Sequence, residues 1–98
     1  ALVLAAPSYL DRRGRPERPE DLGRHDCILD PALPEPGRWP FRGGLRAAVS
    51  GRLAFSDAGA RLAAAEAGLG LARVADFEAE EALAAGRVEA VLAAEAED

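Results

Sequence analysis

The chain has 98 residues and a formal net charge of −5, which bounds it to one domain with one modest core. The charge is uneven: residues 1–50 carry 8 Arg against 7 acids, for +1, and residues 51–98 carry 4 Arg against 10 acids, for −6. Neither half holds the dense, unopposed cation patch that a phosphate backbone needs, so nucleic-acid contact by this chain is not expected.

Residues 2–6, LVLAA, form a continuous apolar run that reads as a strand buried on both faces. The run lacks the basic start of a secretory leader and is too short for one. No segment approaches the ~20 apolar residues of a membrane span, so a cytoplasmic protein without membrane contact is expected. The composition contains no Met, so Ala1 is not an untouched initiator, and a piece cut from a longer protein is the expectation. Pro7 ends the strand, Ser8 is placed to cap a short helix over YLDRR, and Gly14 stops it. Arg12, Arg13, Arg15 and Arg18 interleave with Asp11, Glu17, Glu20 and Asp21, the pattern of a solvated, locally paired face. The chain has 12 Arg, no Lys and 23 Ala, a coding bias that explains the Arg excess before any function does.

Pro19 opens a second short helix, with Glu20 and Asp21 at its positive end. CILD, 27–30, reads as a strand. The single Cys excludes an internal disulfide and fits a reducing compartment. His25 and Cys27 are too few for a metal site and too close in sequence for a nucleophile and its base; a buried Cys27 and a partly exposed His25 are expected. PALPEPG, 31–37, is a surface loop. RWPF, 38–41, and LRAAVS, 45–50, suggest two extended pieces about a Gly43-Gly44 reversal, with Trp39 and Phe41 as an apolar lid over the sheet.

RLAF, 52–55, reads as a strand and is followed by an Ala-rich helix over about 57–67. Leu62, Ala65 and Leu69 mark its inner face, Arg61 and Glu66 point elsewhere, and Gly68 suits its exit. LGLARV, 69–74, is another strand. GLGLAR, 68–73, which overlaps it, leaves a helix for a strand, the reverse of the dinucleotide-binding context, and implies no cofactor. Asp76 caps a last helix that Gly86 ends, and VEAVLA, 88–93, is the final strand before an acidic end. Alternating strands and helices predict an α/β fold with a mixed, mostly parallel sheet flanked by helices. Two readings of Ser56 and Asp57 stand level: a helix cap and nothing more, or the edge of a ligand site, since ligands collect beyond the carboxyl ends of strands, where helix starts point. Phe55-Ser56-Asp57 and Arg73-Val74 are both such strand ends.

LVLAAPSYLDRRGRPERPEDLGRHDCI, then RWPFR, then GRLAFSDAGARLAAAEAGLGLARVADF, then ALAAGRVEAVL, in that order and spacing, resemble the second, distal subdomain of the effector-binding region of LysR-type transcriptional regulators. The resemblance covers nearly the whole of residues 1–98. It implies one lobe of a type 2 periplasmic-binding-protein-like fold, with no catalysis, no cofactor and no metal. A small effector, often an organic anion or aromatic acid, would lie between this lobe and a first lobe. The winged helix-turn-helix that contacts DNA, and that first lobe, are absent from this chain. The resemblance assigns effector binding to Phe55, Ser56, Asp57, Arg73 and Val74, and a homo-oligomer contact to helix 57–67. Family members commonly carry an apolar pair and Pro where Arg73, Val74 and Ala75 stand. Arg73 thus either pairs with an effector carboxylate or faces water. The competing readings are a plain dimerisation module, and a lobe of a bilobal solute-binding protein or enzyme.

Overall fold

The computed structural model describes residues 1–97; Asp98, the last of the acidic end, lies outside the described residues. Strand β1, Leu2–Ala5, leads into helix α1, Pro7–Arg13. Pro7 itself supplies the first turn, so the residue before the helix is Ala6 and Ser8 lies inside it, not at its cap. A 3-10 helix follows at Pro19–Arg24, opened by Pro19. Asp21 fixes it by accepting the backbone N–H groups of Glu17 and Arg18, each at 3.0 Å. The extended pieces predicted about the double glycine are β2, Arg38–Pro40, and β3, Arg46–Ala48, an antiparallel hairpin in which Trp39 faces Ala47.

Helix α2 spans Ala58–Glu66, strand β4 Ala72–Val74, helix α3 Asp76–Ala84 and strand β5 Glu89–Val91. Asp57 caps α2, its carboxylate accepting the Ala60 N–H at 3.0 Å. The N–H groups of Gly68 and Leu69 close the other end on the carbonyls of Ala65 and Ala64. The cap of α3 is Ala75, one residue before the expected Asp76; Glu78 reaches back to the Ala75 N–H instead. The last strand is shorter than 88–93, because Leu92 turns into the left-handed region at φ 56° and a 3-10 turn follows.

The sheet corrects one expectation. It is not mostly parallel: β1 lies between β4 and β5 and runs antiparallel to both, and β2–β3 is antiparallel too. Among the described residues, parallel pairing is confined to the bridges Cys27–Leu71 and Leu29–Ala54. The physical reason is a filled slot. Helix α3 carries the chain from β4 to β5, which therefore run the same way, but they stand one position apart and β1 occupies the space between them. The 27–29 and 53–55 segments flank that group and bond in parallel for only a few residues, so they form bridges rather than full strands.

Alternation along β1 divides the core. Val3 and Ala5 join a cluster with Tyr9, Leu22, Trp39, Phe41 and Leu71 under α1 and the hairpin. Leu4 joins a second cluster, with Ile28, Ala65, Ala72, Val74 and Ala79, under α2 and α3. The strand is buried on both faces, and Trp39 and Phe41 close the first cluster as the expected lid. Two glycines let the central segment fit. A Cβ on Gly51 would stand 1.8 Å from the Cys27 carbonyl oxygen, and one on Gly70 would stand 2.5 Å from that of Asp26. Gly51→Ala should therefore cost about 2–3 kcal/mol, since only separation of backbones relieves such a clash; urea unfolding with an unchanged m-value measures it.

Candidate functional site

The ends of three segments meet at one corner. The segment 27–29 runs into Asp30, β4 runs into Ala75, and the segment 53–55 runs into the start of α2. Phe55 is tied in by its N–H, which donates to the Leu29 carbonyl at 2.9 Å. Between these ends opens a cavity of about 130 Å³, walled by Ile28, Asp30, Trp39, Arg61, Arg73 and Val74.

Arg61 dominates this corner although the sequence pattern turns it outward. It is 7% exposed, on the first turns of α2. Its Nη1 donates to the carbonyls of Phe55 at 2.8 Å and Ser56 at 3.0 Å, and stands 3.5 Å from a carboxylate oxygen of Asp30. Its Nε is buried with no hydrogen-bond partner, a deficit that typically costs about 1–3 kcal/mol. The inner face of α2 is thus Arg61, Ala64 and Ala65, with Leu62 half-buried and Leu69 53% exposed, rather than the expected Leu62–Ala65–Leu69 face.

Of the residues singled out in the sequence, Arg73 and Val74 line the cavity. Phe55, Ser56 and Asp57 do not line it; they are exposed beside it, Phe55 and Ser56 joined to it through the Arg61 guanidinium. Asp57 spends its carboxylate on capping α2. Arg73 is partly buried, with the half-exposed Glu97 as a distant partner at 3.9 Å. Sequence reasoning missed Arg61, Asp30, Ile28 and Trp39 as parts of this site. The available signal was an Arg one turn after the capping Asp57, in a helix otherwise almost entirely Ala and Gly.

The His25–Cys27 region is structural. Burial pushes the Cys27 thiol up to about 12, so it holds no thiolate near neutral pH. The Tyr9 hydroxyl accepts the Asp26 N–H at 3.2 Å and is hydrogen-bonded to Nδ1 of His25 at 2.7 Å, tying the ring to the segment that follows it. Burial, then the charges of Arg13 and Arg24, hold His25 below its ordinary 6.5. The unfolded chain therefore binds a proton that the folded one resists. This contribution to stability is complete above pH 6.5, falls away as the pH drops below that value, and levels off under the depressed folded value. Urea midpoints across pH 7 to 5 should fall for the parent and stay flatter for His25→Gln. Among the described residues no three His, Cys, Asp or Glu side chains converge as a metal site, and no helix is long and apolar enough to cross a membrane.

Residues 1–97 match the family described as the LysR substrate binding domain. The chain is 36% identical over 92 residues to the uncharacterized HTH-type transcriptional regulator YcaN of Escherichia coli (strain K12), covering 92% of this chain and 30% of that protein. It is 37% identical over 94 residues to the probable HTH-type transcriptional regulator LtrA of Klebsiella pneumoniae, covering 93% and 30%. This chain therefore spans 30% of the length of these curated relatives. The regulatory domain of CrgA, a LysR-type transcriptional regulator from Neisseria meningitidis, superposes with a TM-score of 0.89 over 99% of this chain and 48% of its own. At 24% identity that likeness speaks for the fold alone.

Proposed function

Because this chain belongs to the LysR substrate-binding-domain family, a family of transcription regulators and not of enzymes, we propose that it is the distal, effector-sensing lobe of a two-lobed regulatory region of the type 2 periplasmic-binding-protein kind. Residues 1–98 form the lobe; a first lobe and a winged helix-turn-helix outside this chain supply the other cleft wall and the DNA contact. A small effector is held in the cleft, and Phe55, Ser56, Asp57, Arg73 and Val74 are this lobe's share of the site. Its binding shifts the relative orientation of lobes and protomers and so changes DNA occupancy. Such a protein works in the cytoplasm.

The observation that carries this reading is the cavity at the strand ends, with Arg73 and Val74 in its wall and a buried cation opposite. An apolar-walled recess with a few convergent charges is the common form of a small-molecule site. In a reporter strain, the regulator carrying this segment should lose its response to inducing metabolites on Arg73→Ala while keeping its uninduced DNA occupancy. An unchanged response would remove these residues from the site.

Helix α2 is the proposed contact with a second copy. It is supported by Leu69, exposed just beyond the end of the helix, and by a groove of about 410 Å³ beside Leu69, walled by Asp26, Ile28, Arg52 and Leu53. Sedimentation should show dimers that Leu69→Glu converts to monomers. A monomeric parent chain would count against this contact.

A further inference from the structure

Where α1 meets the segment 25–27, three groups share one hydroxyl. Tyr9 is wholly buried, and its hydroxyl oxygen lies 2.7 Å from Nδ1 of His25 and 3.2 Å from the Asp26 nitrogen. A neutral imidazole carries one ring proton, so one arrangement pairs all three: the hydroxyl donates to Nδ1 and accepts the Asp26 N–H. An imidazolium carries a proton on both nitrogens. The hydroxyl then accepts twice, and its own proton, shut off from water, has no acceptor among the described residues. An unpaired buried donor opposes the charged ring.

The surrounding charges act in the same sense. Arg13 from α1 and Arg24 from the 3-10 helix oppose a proton on His25, while Asp21 and Asp26 favour one. Both carboxylates are already engaged: Asp26 with Arg13 at 2.9 Å, and Asp21 with Arg24 at 3.2 Å and with two backbone N–H groups. Arg12 adds a further positive charge, 5.6 Å from the Tyr9 ring centre.

What this cluster holds shut is a seam. The Asp26 carbonyl accepts the Leu71 N–H at 2.9 Å, and the Ile28 N–H donates to the Leu71 carbonyl at 2.7 Å. Asp26, Cys27 and Ile28 also wall the groove beside Leu69. We propose that His25 is a pH-sensitive latch: its protonation frees Asp26 from Tyr9, loosens the seam between 25–28 and 69–71, and so withdraws the groove from a second copy of this chain. The latch stands on this geometry alone, and its effect on association rests on the second-copy reading of α2. Below pH 6.5 the open seam takes up a proton that the closed one resists, so opening grows as the pH falls. A single proton limits that gain to about tenfold at one unit below the free imidazole value.

Amide exchange of the ¹⁵N-labelled chain at pH 7.5 and 5.5, corrected for intrinsic exchange, tests it. At pH 5.5 opening at the Asp26 and Leu71 amides should rise by about three- to tenfold, with Leu4 and Ala65 in the core remaining the better protected. The parent chain alone supplies this readout, so it survives a folding defect in any variant. His25→Gln should open equally at both pH values, and Tyr9→Phe, which keeps the ring, should open the seam at both. In sedimentation the parent dimer should weaken several-fold over the same interval, and the His25→Gln dimer should not. Opening that ignores pH in the parent, that keeps its pH dependence in His25→Gln, or that occurs only together with Leu4 and Ala65 would overturn the latch. A seam that opens while the dimer ignores pH would overturn its control of the groove. If the seam opens as expected in a parent that is monomeric at both pH values, the second-copy reading falls and the latch stands.

Discussion

Trp39→Ala should destabilise the protein by about 3–5 kcal/mol, the range for emptying a large aromatic site from a packed core. The indole is almost wholly buried, standing opposite Ala47 across the hairpin and packed into the cluster that holds Tyr9, Leu22 and Phe41. Hairpin strands of three residues each, backed by one sheet face, have little capacity to collapse into the vacated space. A domain of this size holds about 5–15 kcal/mol in total, so the loss removes a large fraction of it. Trp39→Phe retains most of the ring contact and should recover at least half the loss. Equilibrium urea curves decide the matter, and a Trp39→Ala loss below ~1 kcal/mol would mean that the hairpin does not seal this side of the core.

Arg61→Leu should cost about 3 kcal/mol, near the lower end of the range for removing one partner of a buried ion pair. The loss has two sources. The carbonyls of Phe55 and Ser56 lose their donor, and the carboxylate of Asp30, itself only 19% exposed, loses its neighbouring charge. The second source is separable. Asp30→Asn keeps the turn in which the side-chain oxygen accepts the Ala32 N–H at 3.0 Å, while removing the charge. The double variant should therefore be about 1–2 kcal/mol more stable than Arg61→Leu alone, a positive coupling that a double-mutant cycle reads directly. Additive losses would show that Asp30 and Arg61 do not sense one another.

The contrast between these two residues shows what a sequence carries and what it does not. Trp39 was legible as a lid because a large aromatic between a proline-rich loop and a double-glycine turn has only the sheet to cover. The capped start at Asp57 and the turn out at Gly68 were legible too, since each is local hydrogen-bond chemistry. Arg61 was not. In a helix where most side chains are Ala, burying one face differs little in free energy from burying the next, so two leucines tip the reading toward a face that tertiary packing then rotates away. The direction of β1 was also hidden. Five apolar residues alternate between two faces identically whichever way they point, and only the neighbours, β4 and β5, fix the sense. For the site itself, the strand ends were legible as places; that Arg73 and Val74 share a wall with Arg61 and Asp30, while Ser56 and Asp57 stand outside it, depended on a rotation of α2 with no signature in the composition.

The central position of β1 also dictates a schedule for synthesis. Leu2 bonds beside Val74 and Val3 beside Val91, so β1 leaves the ribosome well before either of its neighbours and pairs only once the chain through Val91 has emerged. Until then its apolar edges stand open to other chains, and sheet closure must span long loops, which slows folding. This segment is therefore exposed to self-association until β5 is translated, and a chaperone that shields residues 2–5 during that interval would raise the yield of folded protein without altering its final stability.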